Sequence, residues 1–485
     1  LNKFVFEQVL LLIFLSRFTL SLLPDTWDSV NVVKRTIEEL KDKRFTNKVL
    51  HSHPSPIFWN DPITIDSVIK ARQQKDVQVN KMLNLYVSLP FCLKTNPPNC
   101  GYCLFPHVDY SRIADIKNYL KYLHKEGQIY NEHLNNDDLA AIYFGGGTPN
   151  LLPGYLYNGL VAEIKSIFPR IRDNIEITFE GIPALFDHKK LVELKTNGIT
   201  RISIGIQQLN PALIKMSGRK QQPHQIFQVI RWCNDLQLEV NVDLIYGWPK
   251  QTINTMLDDL GKIVQTGVNH ITHYELNLGG RSDFSKNRRD ELPSPSENLQ
   301  LFLAAKEYLE GAGYELVSTY DYIKKDNSYE GFFEFEHNMR HGLGFDSSVT
   351  GYDMWGWGFG GISYFIGTPD QPGCVFMNTT NLDEYYHMID NNQPPIKRGY
   401  QYLKDDIRIG WLFQCLQNLY VNLYDYQNLF GSNLYTDFDV LWDALLDLGW
   451  IKLANDKLSL IKEGIYYTPL IQNMLATRRN NELRH

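Results

Sequence analysis

Between residues 83 and 276 six strand-like runs alternate with helix-like patterning, and this rhythm limits the fold more than any other feature. Apolar, strand-like runs lie near 84–89, 140–144, 175–179, 201–206, 238–246 and 270–276. The intervals carry helical periodicity over 156–168, 188–196, 224–236 and 253–264. Gly198, Gly267 and Gly313 stand where helices should stop. Such alternation implies parallel strands joined by right-handed crossovers. Six units predict an α/β fold, a partial (β/α)6 barrel rather than a closed eightfold one. Ligands of such folds bind at the C-terminal ends of the strands. A cysteine loop after Phe91, a glycine turn after Phe144, and Glu180, Gln207 and Asp243 all fall at or near such ends, which predicts one shared site.

The flanks read differently. Residues 1–80 form a partly helical lead-in, 81–320 the barrel core, 321–399 an extension rich in Gly and aromatics that packs on the core, and 400–485 a helical, winged-helix-like module closing on two short strands. The segment Trp355–Gly361 reads as a tightly packed loop under the barrel, or as a wall for a flat apolar ligand. Val9–Leu15 is unbroken apolar sequence between Glu7 and Arg17. It falls short of the roughly 20 residues a spanning helix needs, and no small-residue cleavage site precedes Pro24. An amphipathic helix, or a misassigned start with Leu at position 1, is expected there rather than a membrane anchor. His51 and His53, two apart in a probable loop, are expected to be solvated or capping.

The 485-residue chain is 43% hydrophobic with a net charge of −7, and no Lys/Arg run dominates any segment, which argues against a nucleic-acid partner. Of six cysteines, Cys233, Cys374 and Cys415 are scattered, and Cys233 and Cys415 are expected to be buried apolar residues. So few cysteines in so large a chain fit a reducing, cytoplasmic setting.

The other three, Cys92, Cys100 and Cys103, crowd one loop with the spacing C-x7-C-x2-C. With His107 the same run reads as a Cys3His zinc site. Three thiolates can equally hold an iron–sulfur cluster, with one iron left open for a ligand. Spacing alone does not separate the two. Gly145-Gly146-Gly147-Thr148-Pro149, a turn behind the next strand where backbone can approach a ligand, favours the open cluster, because a structural zinc needs no such turn.

Several ordered motifs resemble the radical S-adenosylmethionine (SAM) superfamily, and more narrowly the oxygen-independent coproporphyrinogen III oxidase group with its heme-chaperone and heme-degrading relatives. They are Tyr86–Cys92, Cys100-Gly101-Tyr102-Cys103, Phe144–Pro149, Arg201–Gln207, Gly218-Arg219 and Asn241–Pro249. The resemblance implies a 4Fe–4S cluster on Cys92, Cys100 and Cys103, with SAM chelating the open iron. It implies Tyr86 and Tyr102 in the cofactor site, Tyr102 beside adenine, and the backbone of Gly146, Gly147 and Thr148 at the methionine amino end. Glu180 would accept from SAM, Arg219 would pair with its carboxylate, Asp243 would bind ribose, and Gln207 would complete the polar lining. It further implies a small-molecule substrate, a tetrapyrrole in the nearest group, and an electron donor such as flavodoxin or ferredoxin. No catalytic residue on the substrate side is assigned.

The chain departs from that group in three places. Seven residues, not three, separate the first two cysteines, so the loop must bulge. Phe105 stands where the oxidases carry a further cysteine. The heme motif His-Asn-x-x-Tyr-Trp of the chaperones is here His337-Asn338-Met339-Arg340-His341-Gly342, keeping His-Asn but not the aromatic pair. A heme-binding protein on the same scaffold, with His337 as its only handle, is the second reading.

Overall fold

Strands form where the six apolar runs lie: β1 Asn80–Leu89, β2 Leu139–Gly146, β3 Ile171–Gly181, β4 Arg201–Gln207, β5 Glu239–Tyr246 and β6 His270–Glu275. In this computed structural model, which describes residues 27–43, 52–73, 80–134, 138–168, 171–279, 282–325, 333–343 and 350–484, all six are parallel and pair in sequence order. The apolar run Val9–Leu15 and His51 lie outside the described residues. Helices Tyr157–Ile167, His188–Thr196, Pro223–Asp235 and Ile253–Val264 fill the crossovers. Asp187 and Thr252 cap two of them by accepting backbone N–H groups. Gly198, Gly267 and Gly313 follow helix ends with φ of 91°, 74° and 90°, the left-handed region open to glycine.

Alternation along the strands sets the two faces of the sheet. Leu83, Leu85, Val87 and Leu89 of β1 are buried in the main core, while Tyr86 packs inward with Ala141, Tyr143 and Met354.

The sheet does not stop at six strands. β7 Tyr314–Leu316, β8 Asp321–Lys324, β9 Thr350–Trp357, β10 Ile362–Gly367, β11 Pro372–Asn378 and β12 Ile396–Gln401 extend it to twelve, in the order β12-β11-β10-β9-β1-β2-β3-β4-β5-β6-β8-β7. β9 runs parallel to β1, and the remaining added pairs are antiparallel. The result is an open, partial barrel with two free edges. Trp355–Gly361 is therefore only in part a loop: Trp355-Gly356-Trp357 end a central strand, and residues 358–361 make the turn to β10. Its tryptophans do not face a ligand. Both are wholly buried, Trp355 against Tyr130 at 4.9 Å and Trp357 donating from Nε1 to Leu123 O at 2.9 Å, so they face the outer helix Ile113–Leu134. Gly356 is needed because a Cβ there would stand 2.4 Å from Ile362 N across the turn.

The helix Glu334–Met339 packs inside the barrel against a charged floor. Arg201, wholly buried, forms a fork with Glu336 at 2.8 and 2.9 Å and touches Glu176 at 3.3 Å. Glu176 accepts the N–H groups of Glu334 and Phe335 at 2.9 and 3.2 Å, a carboxylate at a helix N-terminus. The second guanidinium nitrogen lies 2.8 Å from His270 Nδ1. Because a guanidinium only donates, Nδ1 is the acceptor, and Nε2–H donates to Asp321 at 2.9 Å. His270 is thus neutral, consistent with the lowering of its pKa by burial.

After residue 403 the chain forms helix Lys404–Gln417, then β13 Tyr420–Asn422, β14 Ile451–Ala454 and β15 Lys457–Leu460, with helices Leu423–Phe430 and Asp439–Asp447 before the hairpin, a winged-helix-like order. Asp406 locks this module to the rest. It receives Arg479 at 2.8 and 3.1 Å and the Tyr400 hydroxyl at 2.9 Å, and lies 3.4 Å from His53. His53 is accordingly buried rather than solvated, because its partner arrives from 353 residues downstream, beyond what local sequence can signal. Cys233, Cys374 and Cys415 are buried, as their apolar surroundings require. No helix among the described residues is long and apolar enough to cross a membrane.

Candidate cofactor site

The cysteine loop leaves β1 at Pro90. Phe91–Cys92 pairs in parallel with Val108–Asp109, which brings the far end of the loop back beside its start. The extra residues fold on themselves. Thr95 Oγ1 donates to Pro97 O at 2.8 Å and accepts from the Cys100 N–H at 2.9 Å. Asn99, Cys100 and Gly101 follow with φ of 55°, 55° and 77°. The bulge leans on Gly218, where a Cβ would stand 2.3 Å from Asn96 O. The long spacing thus docks the loop on the turn that carries Arg219.

Burial pushes the Cys92 thiol up to about 11 and the Cys103 thiol up to about 12, and in each case the charge of Cys100 adds to the shift. Three thiols that repel one another's charge share one space. Thr148 Oγ1 approaches Cys92 Sγ at 3.5 Å. The four side chains of the zinc alternative do not converge. His107 Nδ1 pairs with Phe105 O at 3.1 Å, and no group of three or more His, Cys, Asp or Glu among the described residues surrounds a single-ion position.

The glycine turn is pinned beneath this loop. Gly147 N–H donates to Leu89 O at 3.0 Å and Thr148 N–H to Phe91 O at 2.8 Å. These donors are spent on the loop, so the turn offers a ligand its carbonyls. A Cβ on Gly147 would stand 2.6 Å from Phe91 O, and one on Gly145 would stand 2.6 Å from the Tyr86 hydroxyl and 3.0 Å from Glu180 Oε2. Only glycine admits that approach. Asn150, wholly buried, bonds both ways with Ile182, at 2.9 and 3.1 Å, fixing the turn to the end of β3.

Glu180 stands at that end. Its carboxyl accepts no hydrogen bond among the described residues. Burial, reinforced by the charge of Asp243 and opposed by Arg219, pushes it up to about 8. Asp243, inside β5, accepts from Asn241 at 2.8 Å and Ser203 at 3.1 Å, and burial still raises it to about 6. Gln207 ends β4 at a register shift with φ of 67°, and its Nε2 would lie 3.2 Å from a Cβ on Gly205.

Arg219 reaches in from the turn before helix Pro223–Asp235. Nε donates to Gln221 Oε1 at 2.9 Å, one terminal nitrogen to Gly205 O at 2.5 Å and the other to the Tyr102 hydroxyl at 3.4 Å. A guanidinium has five N–H donors. Three are used, and one remains on each terminal nitrogen, the number a carboxylate's two oxygens accept. Tyr102 packs edge-on to Trp248 at 5.0 Å and beside Phe284 at 6.2 Å. Tyr86 stacks on Tyr143 at 5.8 Å with Phe335 below.

The structure thus brings the cysteine loop, the glycine turn, Tyr86, Tyr102, Glu180 and Arg219 together near the C-terminal strand ends, with Asp243 one strand away inside β5. Sequence reasoning missed Trp248, Phe284, Phe335 and Gln221. Trp248 sits inside the motif Asn241–Pro249 and was findable there. Phe335 and Phe284 arrive from segments without local signal.

Three clustered cysteines, an unpaired carboxyl, a half-used guanidinium and a second, half-buried carboxyl suit a redox cluster beside a zwitterionic, ribose-bearing ligand. Residues 88–263 match the family described as the Radical SAM superfamily, so the chain carries a radical SAM domain. Its relatives bear two names. Heme chaperone HemW of Buchnera aphidicola is 28% identical over 260 residues, 53% of this chain and 66% of that protein. Oxygen-independent coproporphyrinogen III oxidase of Pseudomonas aeruginosa is 26% identical over 431 residues, covering 86% and 88%. The chain spans just under two thirds of that HemW relative. Among solved structures, coproporphyrinogen III oxidase (HemN) from Escherichia coli, titled a radical SAM enzyme, superposes with a TM-score of 0.74 at 20% identity over 88% of this chain and 96% of that one. The fold is shared.

Proposed function

We propose that the chain is an enzyme that cleaves SAM reductively and abstracts hydrogen from a small organic substrate, a tetrapyrrole that it decarboxylates oxidatively. The observation that carries the reading is Glu180, a half-buried carboxyl without a hydrogen-bond partner beside the glycine turn, near a guanidinium with two donors left. The amino and carboxylate groups of a bound amino acid satisfy both.

With cluster and SAM bound, the pair supplies one-electron cleavage of the sulfonium and a carbon radical. The chain's residues do the rest. Cys92, Cys100 and Cys103 hold the cluster. Glu180 and the turn carbonyls would accept from the amino group, Arg219 would pair with the carboxylate, Asp243 would hold the ribose hydroxyls, and Tyr102 would stand beside the base. Tyr86, Tyr143 and Phe335 line the barrel below and keep water from the reacting carbon. A flavodoxin- or ferredoxin-like donor in the cytoplasm would supply the electron for cleavage, and a separate one-electron acceptor would take the electron that the substrate radical gives up as CO2 leaves. The test is 5′-deoxyadenosine formation by the anaerobically reconstituted chain with dithionite. No product from a fully loaded protein defeats the proposal.

The heme-delivery reading is supported by the relatives named heme chaperone HemW and by the exposed position of His337. A heme titration separates it. Unchanged binding in His337→Ala removes that ligand, and no binding by the parent chain removes the reading.

A further inference from the structure

Gln221 is almost wholly buried, a polar residue two positions after Arg219 in the same turn. Its amide faces two ways. Oε1 accepts from Arg219 Nε at 2.9 Å, while Nε2 donates to Ile206 O at 2.5 Å. Ile206 is the residue bulged out of the β4–β5 ladder, between the pairs Gly205–Asp243 and Gln207–Leu244. The neighbouring carbonyl, Gly205 O, takes a terminal nitrogen of the same guanidinium. Two consecutive carbonyls at the bulge thus fix Arg219, one directly and one through Gln221.

We propose that Gln221 is a positioning residue: it clamps Nε of Arg219 to the β4 bulge so that the two remaining N–H groups point together at a ligand carboxylate. The inference rests on the SAM-binding reading and deepens it. Arginine side chains lose much rotamer freedom when fixed, and Gln221 removes that freedom before the ligand arrives. Its effect should therefore appear only with ligands that carry the carboxylate.

The test uses the full chain, anaerobically reconstituted, with SAM and 5′-methylthioadenosine as probes by titration calorimetry. The second probe has the adenine, ribose and thioether but lacks the amino-acid end. Gln221→Leu should weaken SAM about tenfold, or about 1.4 kcal/mol, and leave methylthioadenosine within about twofold. In an Arg219→Gln background the same change should alter SAM affinity by less than about twofold. Equal losses for both probes would mean a merely structural role, and unchanged SAM affinity would mean none; either overturns the proposal. If Gln221→Leu does not load a cluster, Gln221→Glu, which keeps the acceptor but not the donor to Ile206 O, must show the same split between probes or the proposal falls. A parent chain that binds methylthioadenosine but not SAM would sink the functional reading, and this inference with it.

Discussion

Replacing Arg201 by Met should cost far more than removing any surface charge. Arg201 is wholly enclosed and holds Glu336 through two bonds and Glu176 through one, with a third link to neutral His270. Methionine fills similar space but leaves both carboxylates in the barrel without a cation. Breaking a buried pair by removing one partner costs about 3–5 kcal/mol, because the survivor stays desolvated. Glu176 keeps the two helix N–H groups, so most of the loss should come from Glu336. The double variant Arg201→Met/Glu336→Gln should therefore recover more than half of it. Urea unfolding followed by tryptophan fluorescence, with all four members of the cycle compared under one buffer, reads both numbers. A single variant within about 1 kcal/mol of the parent, or a double variant no better than the single, would refute the claim that this network anchors Phe335 and the helix Glu334–Met339 inside the barrel.

Gly147→Ala should abolish SAM binding and lower cluster occupancy, because its Cβ would stand 2.6 Å from Phe91 O, where backbone cannot yield; iron counts and calorimetry check it. SAM affinity should rise with pH. The Glu180 carboxyl, raised to about 8, must ionise to accept from the ligand's amino group, so binding releases a proton below that pH. The gain is at most about tenfold per unit, flattens above about 8, and should vanish in Glu180→Gln. Alanine at Cys92, Cys100 or Cys103 should remove iron from the reconstituted protein, whereas Cys233→Ala, in a buried apolar site, should not; iron and sulfide analysis reads the difference.

The strand–helix rhythm located the six parallel strands and four of the crossover helices, with His188–Thr196 and Ile253–Val264 matching end to end. Periodicity suffices there because each unit buries one face locally. It failed at Trp355–Gly361, where glycine and tryptophan read as a packed loop. The period-two placement of Trp355 and Trp357 was the strand signal, masked by glycines that the close approach of β10 requires. Cys92, Cys100, Cys103, Glu180, Arg219 and Asp243 were legible because each lies in or beside a motif at a strand end. Arg201 was legible as motif but not as floor, since Glu336 lies 135 residues away. His53 and Gln221 escaped for the same reason: their roles depend on what faces them, not on their sequence neighbours.

The electron paramagnetic resonance spectrum of the dithionite-reduced, reconstituted chain, recorded before and after SAM, probes the open iron directly. The account predicts the signal of a reduced 4Fe–4S cluster whose g values move when SAM is added and stay put in Arg219→Gln at the same SAM concentration. A chain holding one zinc without sulfide, or a cluster signal indifferent to SAM, would contradict it.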